Sequence, residues 1–137
     1  MHLEKLGHVV LKVRDLQRSE GFYSGVLGMK VISRNSDPRM TFFTIGTPGN
    51  HHDFALIEFG PEAPSPDPDT TGLAHVAFKV GRSPEELRLT RRTLDSSEIP
   101  VLYEAERAFS RSLHVLDPDA NEIELYISTL DASVIKG

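Results

Sequence analysis

The sequence predicts an α+β fold of two tandem β-α-β-β-β modules that form a cupped mixed sheet around a metal cavity, and three observations predict it. The stretch GHVVLKV at 7–13 returns as AHVAFKV at 74–80, matching His8 with His75 at an offset of 67. The stretch ALIEF at 55–59 returns in pattern as EIELY at 122–126, matching Glu58 with Glu124 at an offset of 66. Between the copies lies GPEAPSPDPDTTG, whose four prolines exclude a helix or a central strand.

The first module, about residues 5–60, opens with a strand over Val9–Val13. Asp15 is a fitting N-cap for a helix through Phe22, Tyr23, Val26 and Leu27, and Gly28 stops it. Three β-rich runs follow, MKVIS, MTFFTIG and DFALIEF. Residues 61–72 are a semi-extended linker. The second module, about 73–127, repeats the order: a strand from Val76, then Ser83-Pro84-Glu85-Glu86 as a capping box with proline at the first helical position, then Leu87, Thr90, Arg91 and Leu94 at helical spacing. Its later strands are IPVLYE, RSLHVL and NEIELYI, and the tail 128–137 has no pattern of its own.

The totals restrict the function classes. At 137 residues the chain is expected to form one domain; 39% hydrophobic and 26% charged residues with a formal net charge of −5 describe an ordinary soluble protein. There is no basic footprint for nucleic acid and no apolar run near the ~20 residues a membrane span needs. The charged residues of MHLEKLGHVVLKV argue against a signal peptide, so a cytoplasmic protein is expected. Without cysteine, any metal must be held by His, Asp and Glu.

Side chains alternate along a strand, and each sheet is expected to have a helix on one face only. Taking Val9, Leu11 and Val13 as helix-facing leaves His8, Val10 and Lys12 on the open face; Val76, Phe78 and Val80 likewise leave His75, Ala77 and Lys79. The same rule gives Ala55, Ile57 and Phe59 to the helix and His52, Phe54, Leu56 and Glu58 to the open face, with Glu124 and Tyr126 open in the second module. His8, Glu58, His75 and Glu124 are thus expected on helix-free faces. Imidazole plus carboxylate without thiolate suits Fe(II), Mn(II), Ni(II), Co(II) or a catalytic Zn(II).

On these residues the chain resembles the vicinal-oxygen-chelate superfamily, which includes glyoxalase I, extradiol ring-cleaving dioxygenases and the bleomycin- and fosfomycin-resistance proteins. The specific marks are GHVVLKVRDLQRSEGFYSGVLGMKV and HVLDPDANEIELY, the latter similar to the family's closing Asp-Pro-x-x-Asn-x-x-Glu hairpin, and the resemblance covers about residues 5–127. The resemblance implies a metal-dependent enzyme acting on a small molecule. Sheets of this shape pair within one chain or across two, and the edge strands of four-stranded sheets favour a homodimer.

Two branches compete. The glyoxalase I pattern implies His8, Glu58, His75 and Glu124 as ligands of Ni(II), Co(II) or Zn(II), for Lewis-acid proton transfer. The extradiol pattern implies only His8, His75 and Glu124, a two-His-one-carboxylate set for Fe(II) or Mn(II) that leaves room for substrate and oxygen. It also implies an acid/base histidine near the fourth strand, which HHDFAL supplies at His52. His52 and Glu58 lie about 20 Å apart along an ideal strand, so they cannot share one ion. The extradiol tyrosine ten residues before the last glutamate is here His114, a candidate hydrogen-bond donor to substrate. Against glyoxalase I, Lys12 stands where that pattern has a glutathione-binding arginine, and nothing after Glu58 resembles its thiol-substrate contacts. A dioxygenase-like enzyme is therefore favoured over a glyoxalase I-like lyase, and both over a non-catalytic small-molecule binder, which has no use for carboxylates in its cavity. His51, His2 and the cluster Arg88, Arg91, Arg92 read as solvated groups, Tyr126 as a residue that lines or packs, and Ala120 as a replacement for the closing turn's usual glycine.

Overall fold

Asp15 opens the first helix by accepting the Arg18 N–H on its side chain at 3.1 Å, the capping role its place after an apolar strand predicts. In the computed structural model, which describes residues 1–130, the chain divides into two units, Met1–Ser65 and Pro66–Gly137, of the same element order.

The first unit runs β1 (Val9–Val13), α1 (Leu16–Glu20), β2 (Lys30–Ser36), β3 (Arg39–Thr44) and β4 (Phe54–Glu58). Helix α1 continues as a π-helical segment, Gly21–Val26, which the periodicity did not distinguish from α-helix. Gly28, at φ 80°, takes the left-handed conformation that ends the segment, and its N–H reaches Ser24 O at 3.1 Å. The sheet order is β1-β4-β3-β2, with β1 parallel to β4 and the other pairs antiparallel. The second unit repeats this as β5 (Val76–Gly81), α2 (Pro84–Ser96), β6 (Tyr103–Arg107), β7 (Ser110–Leu116) and β8 (Glu122–Ser128), in the order β5-β8-β7-β6. Of the expected tail, Ser128 belongs to β8 and residues 131–137 lie outside the described residues.

Both helices start as the sequence predicts. The Ser83 hydroxyl accepts the Glu86 N–H at 3.3 Å, and Glu86 returns a carboxylate to the Arg82 N–H. Each unit has its own core. In the first, Tyr23 lies against Phe54 with ring centroids 4.7 Å apart, and Phe43 and Leu56 are fully buried beside them. In the second, Leu87 and Leu94 of α2 are buried on the side of Leu113, Val115, Ile123, Leu125 and Ile127.

The first core corrects the expected faces of β4. Phe54 contacts Tyr23 of the helical segment, so Phe54, Leu56 and Glu58 face the helix, and Ala55, Ile57 and Phe59 face away. Lys12, on the open face of β1, lies over the Phe59 ring at 5.1 Å, which confirms the assignment. The strand register explains the error: Val9 pairs with Phe54 and Val76 with Ile123, so the first strands are offset by 67 and the last strands by 69. The match of Glu58 to Glu124 at 66 is three residues out of register, and an odd slip exchanges the faces.

Candidate metal and ligand sites

In the first unit the loop before β4 is built around Asp53. Its carboxylate accepts the Ile45 N–H at 2.8 Å, the Asn50 side-chain N–H at 2.8 Å and the Thr44 hydroxyl at 3.2 Å. Burial pushes this carboxyl up, but the hydrogen bonds from Ile45, Asn50, Thr47 and Thr44 outweigh burial and hold it well below the usual carboxylate range. Asn50 also donates to Gly7 O at 3.0 Å, and the Val9 N–H reaches Asp53 O at 3.3 Å, so the starts of β1 and β4 are tied together. This brings the rings of His8 and His52 to a centroid distance of 4.3 Å, with Phe42 edge-on to His52 at 5.2 Å. Burial, followed by the neighbouring His8 and His51, holds the His52 imidazole below its ordinary value, and Asp53 opposes the shift. His51 is exposed beside it.

Glu58 is not on this face. Its Oε2 accepts the Leu16 N–H at 2.9 Å and its Oε1 accepts Arg39 Nη1 at 2.8 Å. The Leu16 N–H belongs to the first turn of α1, which has no intrahelical partner, so the carboxylate caps the helix and favours its dipole. Glu58 pairs in register with Val13, whereas His8 directly precedes Val9; five residues of strand, about 17 Å, and opposite faces separate them. The expected pairing of His8 with Glu58 on one ion is therefore corrected. A cleft of about 510 Å³ adjoins this ion pair between α1 and the β2–β3 hairpin, but its two arginines are already paired, Arg34 with Glu20 and Arg39 with Glu58.

The second unit follows the predicted faces. Ile123, Leu125 and Ile127 are buried, and Glu122, Glu124 and Tyr126 lie on the other face of β8. His114 of β7 pairs in register with Glu124 on one side and with Tyr103 of β6 on the other, so these side chains share the open face. Glu124 Oε1 is 3.6 Å from His75 Nε2 and 3.3 Å from His114 Nε2. Glu122 Oε2 is 3.1 Å from His114 Nδ1 and 3.8 Å from His75 Nδ1, and it accepts the Tyr103 hydroxyl at 2.8 Å. The Tyr103 ring stacks on His114 at 4.2 Å, and the Ser112 hydroxyl lies 3.1 Å from His114 Nε2. The hydrogen bond to Glu122, with burial, pushes the Tyr103 hydroxyl up. Glu122, Tyr103 and Ser112 were not singled out from the sequence. Glu122 alone had a signal, since it shares the parity of Glu124.

Two imidazoles and two carboxylates are a fitting donor set for a divalent ion, and separations of 3.3 and 3.6 Å from Glu124 Oε1 are near the spacing of donors that each sit about 2.1 Å from one ion. As placed, no three such side chains among the described residues close around a common point. His8 is exposed and His75 has 39% of its side chain exposed, while His114 is buried at 4%. Ala120 stands in the closing turn at φ 67°, where Asp117 Oδ1 accepts the N–H groups of Asp119 and Asn121. Arg88 and Arg91 form ion pairs with Glu85 and Glu104. No helix among the described residues is long and apolar enough to cross a membrane.

A family model, Glyoxalase/Bleomycin resistance protein/Dioxygenase superfamily, matches residues 5–125. The chain is 35% identical over 129 residues to biphenyl-2,3-diol 1,2-dioxygenase 3 of Rhodococcus globerulus, covering 90% of this chain and 63% of that protein. It is 30% identical over 122 residues to catechol-2,3-dioxygenase of Bacillus subtilis, covering 88% and 40%. It thus spans less than two thirds of either relative's length. The crystal structure of a glyoxylase/bleomycin resistance protein/dioxygenase domain from Frankia sp. EAN1pec matches with a TM-score of 0.77 at 25% identity, over 93% of this chain and 99% of that one.

Proposed function

Since the chain belongs to the Glyoxalase/Bleomycin resistance protein/Dioxygenase superfamily, we propose that it is a metal-dependent enzyme of the extradiol dioxygenase type, acting on a small molecule with two adjacent oxygens such as a catechol. The observation that carries this choice is the position of Glu58. A lyase of the glyoxalase I type needs that carboxylate as a fourth ligand, and here it caps α1 and binds Arg39 instead. The similarity to two dioxygenases along most of the chain supports the same side.

In this proposal His75 and Glu124 hold the metal, with His8 as the further histidine that the extradiol pattern implies. A bound divalent ion supplies a Lewis acid that lowers the proton affinity of vicinal substrate oxygens. His52 is the acid/base group: its environment keeps the ring neutral and able to accept a proton near neutral pH, and Asn50 and Asp53 hold the loop that presents it. Phe42, edge-on to His52, contributes an apolar wall for an aromatic ring. The protein is expected to work as a homodimer.

The test is made on His52→Ala and Glu58→Gln proteins loaded anaerobically with Fe(II). Oxygen uptake with catechols lost in His52→Ala, with iron retained, supports the proposal. Isomerisation of the glutathione–methylglyoxal adduct by the Ni(II) form, lost in Glu58→Gln and indifferent to His52, overturns it in favour of the lyase.

A further inference from the structure

The open face of the second sheet carries an ammonium and a phenol hydroxyl that the metal proposal leaves unused. Side chains alternate along β5 and β8, so Lys79 lies on the face of His75 and Tyr126 on the face of Glu124. These are one face, since Glu124 Oε1 is 3.6 Å from His75 Nε2. Lys79 and Tyr126 pair in register across the parallel strands, as Ala77 and Glu124 do two residues earlier. Lys79 is exposed and Tyr126 half-buried, and neither has a side-chain partner among the described residues. Ser112, in register with Tyr126 from the other side, has its hydroxyl at 3.1 Å from His114 Nε2 instead.

Ala77 decides what stands between the two ends of this face. Its methyl group is exposed, so β5 raises no bulky side chain between His75 and Lys79. One step of two residues, roughly 7 Å of strand, separates Glu124 from the Lys79–Tyr126 pair. That step is close to the distance from the vicinal oxygens of a catechol to a carboxylate across its ring. The chemistry fits as well as the length. An ammonium offers three donors and a full charge, a phenol offers one more, and a carboxylate accepts from both in short, charge-assisted hydrogen bonds. A neutral diol would leave the ammonium without a counter-charge.

Resting on the proposal that His75 and Glu124 hold the ion that takes the vicinal oxygens, we infer that Lys79 and Tyr126 form a carboxylate subsite beside it. The substrate class is then a catechol with an acidic group on the side of the ring away from its two oxygens. Tyr126, which the sequence leaves as a residue that lines or packs, lines the site and donates.

The experiment compares 3,4-dihydroxybenzoate with catechol on full-length protein in two arms. Calorimetry measures binding of each to chelator-treated protein, and oxygen uptake by Fe(II)-loaded protein gives kcat and KM for each. Wild type is expected to prefer the benzoate in both arms. Lys79→Met, at an exposed position, is expected to lower that preference about 10-fold, in KM rather than kcat, and Lys79→Glu to abolish it. Tyr126→Phe keeps the ring and is expected to lower the preference about 3- to 10-fold. No preference for the benzoate in wild type, or a wild-type preference in folded Lys79→Met, overturns the inference, and catechol still consumed leaves the dioxygenase proposal standing. A wild-type preference in Tyr126→Phe removes Tyr126 from the subsite. Lys79-dependent binding of the benzoate without oxygen uptake overturns the dioxygenase proposal and leaves the carboxylate subsite standing. Neither binding nor uptake with either diol overturns both.

Discussion

The Glu58 carboxylate accepts the Leu16 N–H at 2.9 Å, so the last residue of β4 caps the helix that follows β1. The ion pair with Arg39 holds the carboxylate in that direction. A residue whose strand position suggests a metal ligand is here a helix cap.

Replacing it tests the difference. Glu58→Gln weakens the interaction with the helix start and removes the ion pair, and is expected to cost about 0.5–2 kcal/mol of stability. Metal content and Co(II) affinity are expected to be unchanged. Chemical denaturation read beside elemental analysis checks both, and a loss of metal with stability intact would return Glu58 to the ligand set.

Asp53 makes stability depend on pH in a definite direction. Its native carboxyl is held below the unfolded value of about 3.9, so its contribution is fully present above that value and is lost as pH falls through the native-state value. Asp53→Asn is expected to cost about 1–2 kcal/mol at pH 7, partial exposure of the loop screening the charge, and to flatten the decline in stability below about pH 4. Thermal unfolding of both proteins across the acid range measures it; parallel curves would exclude this role for Asp53.

Ala120 keeps a left-handed conformation at φ 67°, which costs a residue with a Cβ about 1 kcal/mol or more. Ala120→Gly relieves that strain at the expense of a more flexible unfolded chain. A net gain of up to about 1 kcal/mol is expected, a rise in Tm of about 3 °C. Calorimetry decides, and a lower Tm would show that the turn is not strained at this residue.

Tyr23 holds the first core together, fully buried between Phe22, Phe43 and Phe54. Tyr23→Ala is expected to cost about 3–5 kcal/mol. Denaturant midpoints measure the loss, and a cost below about 1 kcal/mol would mean that the core lies elsewhere.

The second unit was legible from its sequence because EIELYI alternates polar and apolar residues, so each face names itself. The first unit was not, because FALIE is apolar on both faces for four residues and only tertiary packing on Tyr23 decides which side is buried. A short likeness between ALIEF and EIELY then supplied a register that the strand pairing does not keep. His52 lies outside β4, beyond the bend at Asp53, so strand parity says nothing of it, yet the Asn50 and Asp53 bonds bring it to His8. The partners of His114 come from cross-strand pairing with Tyr103 and Glu124, which periodicity does not reveal.

The central claim, metal-dependent oxygen chemistry on a vicinal diol, is tested most directly by oxygen consumption. Protein loaded anaerobically with Fe(II) is mixed with a catechol panel that includes biphenyl-2,3-diol, then exposed to air in an oxygen-electrode cell beside a spectrophotometer. The account predicts that at least one diol gives uptake of one oxygen molecule per diol with the yellow absorbance of a ring-opened product, abolished by chelator and in Glu124→Ala. Iron-loaded, folded protein that consumes no oxygen with any diol in the panel would contradict it.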